Sequence, residues 1–280
     1  MSMKKGICIG TVLGDTLLEK MNSAKNAGFE GVELSIVPGT ELDFSSDKKD
    51  VDRIKSYARQ TGLELFSLSD ATCWNYSLTS DDLENRKTAK KNIIKQLQLA
   101  NMLECDTILA LPGIVGCDFI SGFECVDYTD AYNRALEGVG ELSAYAERYG
   151  VNLALENVHN KFLNSPVEFN DFLDKIGSDY VNCYFDVGNV MMFGYPEHWI
   201  KSLNERIKKV HFKDYQVSTH NFVDLLEGDV NYPEVMAAFK KIGYDGWVTA
   251  ELPPTKYYKN STLYTASVAM DIILERKEIQ

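Results

Sequence analysis

The sequence predicts an α/β chain folded as a (β/α)8 barrel, and three observations carry that expectation. Short aliphatic runs recur along all 280 residues. Each is followed by a stretch in which apolar residues stand three and four apart, the spacing of one helix face. The runs are near-continuous rather than cleanly alternating, as parallel strands covered on both faces must be.

Taken in order, the strand candidates are GICIGTV at 6–12, GVELSIV at 31–37, LELFSLSD at 63–70 and CDTILALPG at 105–113. They continue with VNLALENV at 151–158, VNCYFDVGN at 181–189, KKVHFKD at 208–214 and GWVTAEL at 246–252. Between them, residues 83–103 and 131–149 have the spacing of amphipathic helices. AGFEGVELS, TGLELFS, YGVNLAL and IGYDGWVTAE put a glycine just before a strand, where a helix ends on a left-handed residue. Eight such units in this length fit a closed barrel with an outer ring of helices. An open doubly wound sheet would carry GxGxxG after a strand, and none does. No proline-rich linker, low-complexity tract or charge block interrupts the chain, so residues 1–280 read as one barrel domain.

The formal net charge of −12 is spread along the chain and opposes docking on nucleic acid or anionic membranes. Cys8, Cys73, Cys105, Cys117, Cys125 and Cys183 form no CxxC pair, and several stand in aliphatic runs, as buried thiols in a reducing compartment would. The start MSMKKGICIG has too short an apolar run for a signal peptide or membrane span, so a cytoplasmic protein is expected.

In a (β/α)8 barrel the active site is built from the C-terminal ends of the strands. Here strand two ends near Glu33, strand five at Glu156, strand six at Asp186, strand seven at His211 and strand eight at Glu251. One carboxylate after a strand is ordinarily a helix cap or a solvated loop residue. Glu156, Asp186 and Glu251 together would repel one another on one face unless a cation neutralised them. With His211 they make an oxygen-rich set suited to one divalent ion, Mn²⁺, Mg²⁺ or Co²⁺ ahead of Zn²⁺. The HFKD string adds Lys213 and Asp214, which either orient a substrate or hold a loop. Trp74 and Tyr76 in CWNYSL offer aromatic faces that could wall a pocket, with a core role open for Trp74. Lys161, Lys213 and Lys256 are candidate cations for an anionic group on a ligand.

The strings WNYSLTSDD, ENVHNKFLNSP, YFDVGNVMMFGYPEHWI, KKVHFKD and LLEGDVNYPEVMAAFKKIGYDGWVTAEL occur in an order and spacing that cover nearly the whole chain. They resemble the sugar-phosphate isomerase/epimerase family of xylose-isomerase-like barrels, which includes L-xylulose 5-phosphate 3-epimerases and tagatose/psicose 3-epimerases. The resemblance implies Glu156, Asp186, His211 and Glu251 as metal ligands, the four that the strand ends give independently. It also implies Glu156 and Glu251 as the proton-transfer pair. Some relatives carry a substrate-facing histidine where this chain has Asn189, which is therefore expected at the pocket rim, against a role as a turn residue after Gly188. Endonuclease IV shares the barrel but needs more histidines than His159, His198, His211 and His220.

The chemistry implied is proton abstraction beside a ketose carbonyl, with an enediolate stabilised by the metal as Lewis acid. Glu156 and Glu251 would face opposite sides of one carbon, so that one removes the proton and the other returns it with inversion. The expected partner is a small sugar or sugar phosphate, bound by Asn189, Lys213, Glu33, Trp74 and Lys161. An aldose–ketose isomerase, a non-catalytic sugar-binding barrel and a homo-oligomeric assembly stay open at this point.

Overall fold

The structure is a computed structural model that describes residues 3–258 and 260–277; residues 1, 2, 259 and 278–280 of the expected domain lie outside the described residues. Its strands and helices alternate as β1 (Lys4–Cys8), α1 (Leu17–Asn26), β2 (Gly31–Ile36), α2 (Lys48–Thr61), β3 (Glu64–Asp70), α3 (Leu83–Leu103), β4 (Thr107–Ala110), α4 (Tyr128–Tyr149), β5 (Asn152–Glu156), α5 (Pro166–Ile176) and β6 (Val181–Asp186). They continue as α6 (Val187–Val190), α7 (Pro196–Leu203), β7 (Ile207–Phe212), β8 (Asp214–Gln216), β9 (Asn221–Val223), α8 (Tyr232–Ile242), β10 (Trp247–Ala250) and α9 (Ser261–Ile273). The closed barrel runs β1-β10-β7-β6-β5-β4-β3-β2, all parallel, and β8 and β9 form a separate antiparallel hairpin.

All eight aliphatic runs are barrel strands. Burial on both faces explains why they do not alternate: every residue of β4, β6 and β10 is buried. The helices start on local signals. Thr16 and Glu19 form a capping box at α1, Asp47 and Asp50 form another at α2, and Ser165 caps α5 just before Pro166. Gly62, Gly150 and Gly243 end their helices in the left-handed region, as expected from the strings around them, and Gly177 does the same for α5. The helix expected at 83–103 coincides with α3, and α4 begins at Tyr128 because Asp127 caps it there.

Inside the barrel the side chains stack in layers, and the layering sets the height of the site. Phe66 and Trp247 stack with ring centres 4.2 Å apart toward the strands' N-terminal ends. Above them comes a polar layer of Glu33, Ser67, Tyr184 and Thr249, all buried. His211 rises from that layer toward Glu156, Asp186 and Glu251 at the strands' C-terminal ends.

Candidate metal centre

Glu156 closes β5, Asp186 closes β6, His211 precedes the last residue of β7, and Glu251 follows β10. One ligand-capable atom from each lies within 4.8 Å of the other three. The Nδ1 atom of His211 is 2.8 Å from Glu251 Oε2, 3.4 Å from Glu156 Oε1 and 3.7 Å from Asp186 Oδ2. Glu156, Asp186 and His211 are buried, and Glu251 is partly open.

Local folding holds the ligands in register. Asn157, immediately after Glu156, donates its amide to the Asp186 carbonyl at 2.8 Å and accepts the Asp186 N–H at 2.8 Å. This reciprocal pair ties the end of β5 to the end of β6. Asp186 Oδ1 accepts the Asn189 N–H at 2.7 Å and so caps the short helix α6, leaving Oδ2 for the cluster. Gly188 lets the chain pass against Lys213, because a Cβ there would lie 2.6 Å from the Lys213 Cβ.

Three carboxylates this close repel strongly, by roughly 4 kcal/mol per pair at about 4 Å in an effective dielectric near 20. Lys213 offsets part of this, with Nζ 3.1 Å from Asp186 Oδ2 and 2.8 Å from Glu251 Oε2. With Glu33 counted and His211 neutral, four carboxylates and one ammonium leave a formal charge of −3, which a divalent cation would reduce to −1. Burial pushes Glu156 up to about 7, and the His211 hydrogen bond and Lys213 offset it only in part. Burial also opposes the charge on Glu251, but in the metal-free cluster Lys213 and His211 in its imidazolium form outweigh it and hold that carboxyl well below the usual range; a bound metal would take the place of the imidazolium proton.

The donor set fits a cation by a direct test. Asp186 Oδ2, His211 Nδ1 and Glu251 Oε2 are buried atoms that face one another and make no well-aligned hydrogen bond, with only Lys213 and each other at ion-pair distance. Buried polar atoms are rarely left so. Three carboxylates with one imidazole suit a hard divalent ion.

The remaining expected site residues fall in different places. Glu33 is fully buried within β2, which continues to Ile36, so it lies beneath His211 rather than at the strand end with the other four. Its Oε2 is 3.2 Å from His211 Nε2, and it also accepts from Tyr184 Oη and from Ser67 Oγ at 3.0 Å. Asn189 is also buried rather than at a rim. Its amide donates to the Asn157 carbonyl at 2.9 Å and approaches Glu156 Oε1 at 3.4 Å, because α6 begins directly after β6 and turns the side chain inward. Asn189→Ala is therefore expected to cost about 1 kcal/mol of stability, a fall of roughly 2–4 °C in melting temperature for a chain of this size. An unchanged melting temperature with a raised KM would restore the rim role.

Lys161 stands apart from the cluster, exposed and paired with Asp118 at 2.6 Å. Trp74 is half-buried on the β3–α3 connection, edge-on to Phe119 with ring centres 4.9 Å apart. The next residue toward β3, Cys73, lies near the ligands: burial first, then Asp70, Glu156 and Glu251, push its thiol up. Tyr76 is exposed. Asp214 holds a loop, accepting backbone N–H groups of Leu226 at 2.9 Å and Val230 at 3.2 Å. A second aromatic wall was not expected from the sequence. Phe222 on β9 stacks on His159 with centres 5.4 Å apart and lies 5.4 Å from the Lys213 Nζ, while His159 Nε2 donates to the Asn189 carbonyl at 3.0 Å. The hint was HNFV after KDYQV, an alternation that reads as a hairpin.

The signature of the xylose isomerase-like TIM barrel matches residues 21–270. The chain belongs to the xylose isomerase-like TIM barrel family. Among relatives of this barrel family, an uncharacterized protein of Methanocaldococcus jannaschii is 28% identical over 201 residues, which span 69% of this chain and 64% of that protein. An L-ribulose-5-phosphate 3-epimerase of Shigella flexneri serotype 5b is 25% identical over 240 residues, covering 83% of this chain and 81% of that one. Among solved xylose isomerase-like barrels, the D-psicose 3-epimerase of Clostridium cellulolyticum H10, determined with D-tagatose, superposes with a TM-score of 0.79 at 19% identity, over 98% of this chain and 99% of that one.

Proposed function

We propose that this chain is an isomerase of carbohydrate metabolism, a ketose 3-epimerase that holds one divalent metal ion among Glu156, Asp186, His211 and Glu251. The observation that carries the reading is the convergence of three carboxylates and one imidazole from four strand ends to within 4.8 Å, inside a family whose named relatives include 3-epimerases. We read the whole chain as one barrel domain. No helix among the described residues is long and apolar enough to cross a membrane, and the net charge of −12 disfavours nucleic acid. A small sugar or sugar phosphate is the expected partner.

When bound, Mn²⁺, Mg²⁺ or Co²⁺ would act as a Lewis acid on the ketose carbonyl and the neighbouring hydroxyl, favouring loss of the proton between them. Glu156 and Glu251 stand on β5 and directly after β10, with β6 and β7 between them in the barrel. Each has a second carboxylate oxygen with which to take or give a proton. One glutamate accepts the proton at C3 while the C–H electron pair moves toward the carbonyl oxygen. The pair returns to C3 as the other glutamate delivers a proton to the opposite face. Lys213 steers Glu251 through its 2.8 Å contact, and Asn189 and Asn157 support Glu156 and Asp186. The intact ligand set argues against a barrel that only binds sugar.

Incubation with free and phosphorylated ketoses, with Mn²⁺ and then with excess chelator, tests the reading. The expected product is the C3-inverted ketose, lost on chelation and recovered when Mn²⁺ is restored. An aldose product would instead assign an aldose–ketose isomerase.

A further inference from the structure

We infer that Glu33 is a positioning residue that selects Nδ1 of His211 as the metal-binding nitrogen; the inference rests on the metal reading of the site. Glu33 takes no part in the proton transfers above. It is fully buried, and a carboxylate in such a place needs a reason.

The geometry supplies one. Three donors converge on a single oxygen of Glu33, Oε2: Tyr184 Oη, Ser67 Oγ at 3.0 Å and His211 Nε2 at 3.2 Å. They come from β6, β3 and β7, so the carboxylate crosses the barrel interior to reach them. An ionised carboxylate can only accept, so the ring nitrogen facing it must carry the proton. In a neutral imidazole the lone pair is then on Nδ1, the nitrogen that faces Glu156, Asp186 and Glu251.

Two irregularities in the barrel aim these groups. The register between β2 and β3 shifts between Val32 and Glu33, and that between β6 and β7 shifts between Cys183 and Tyr184. Shifts of this kind re-aim a side chain, and here they fall at the two residues that meet through the Tyr184–Glu33 hydrogen bond. Metal-ligating histidines almost always donate their other N–H to such a partner, and loss of the partner costs roughly 10–100-fold in affinity or activity.

The test uses the full chain with Mn²⁺ as probe, titrated by calorimetry or electron paramagnetic resonance, and ring-nitrogen NMR of His211 with Mg²⁺ as the diamagnetic ion. In the parent, Nε2 is expected to carry the proton. Glu33→Ala and Glu33→Gln should each weaken Mn²⁺ binding, Glu33→Ala by roughly 10–100-fold, with His211 losing its single tautomer in Glu33→Ala. Tyr184→Phe removes a different donor from the same carboxylate; it should lower the metal-free melting temperature and leave Mn²⁺ affinity within about threefold, since the Glu33–His211 contact stays. If Glu33→Ala fails to fold, Glu33→Gln carries the test. Parent-like Mn²⁺ affinity in the Glu33 variants would overturn the inference, as would a loss in Tyr184→Phe equal to that in Glu33→Ala. A parent chain that binds no Mn²⁺ would overturn the metal reading and this inference together, an outcome distinct from a parent that binds while its variants match it.

Discussion

Glu156→Gln and Glu251→Gln should each lower turnover by roughly 10²–10⁴-fold, the usual cost of losing a general acid or base. An amide oxygen can still approach a cation but cannot take up a proton at neutral pH. The two losses differ in kind. Each variant, loaded with metal, retains the carboxylate facing one side of the substrate, so it should exchange the C3 proton of one epimer with solvent while failing to convert it. Kinetics at a fixed Mn²⁺ occupancy, measured alongside NMR exchange on each epimer, checks this. Normal turnover by both metal-loaded variants would remove the assignment of the proton-transfer pair.

The second large effect is on binding. Asp186→Asn should abolish tight Mn²⁺ binding, by more than the roughly 10–100-fold of an outer-shell change. Its effect on the metal-free protein should be slight or stabilising. Asparagine is as good a helix cap as aspartate, so the contact to the Asn189 N–H survives. The substitution also removes one of three mutually repelling charges, offset by the loss of an ion pair to Lys213. Calorimetric titration and melting curves with and without Mn²⁺ separate the two effects. A lower melting temperature with unchanged Mn²⁺ affinity would reduce Asp186 to a structural cap.

The barrel and the four converging residues were legible because both arise from local pattern. Strands covered on two faces read as aliphatic runs, and a charged residue at the end of such a run marks a position at the mouth. What the pattern did not give was height within the barrel. GVELSIV does not say where its strand stops, and β2 continues three residues past Glu33, which puts that side chain one layer down. The rim position expected for Asn189 rests on relatives that carry a substrate-facing histidine there, whereas α6 starts directly after β6 and faces the amide inward. Lys161 reads as a free cation until Asp118, far away in sequence, meets it. The β8–β9 hairpin turns at His220 with φ 55°, without the glycine that would have announced it.

The most direct measurement is conversion of a competent ketose by the Mn²⁺-loaded protein in D₂O, followed by NMR at C3. With two carboxylates working on opposite faces, the product should be inverted at C3 and carry solvent deuterium there from the first turnover, while the aldose remains absent. An aldose that forms with no inversion at C3, or an inverted product that retains the substrate's own C3 proton throughout, would contradict the account.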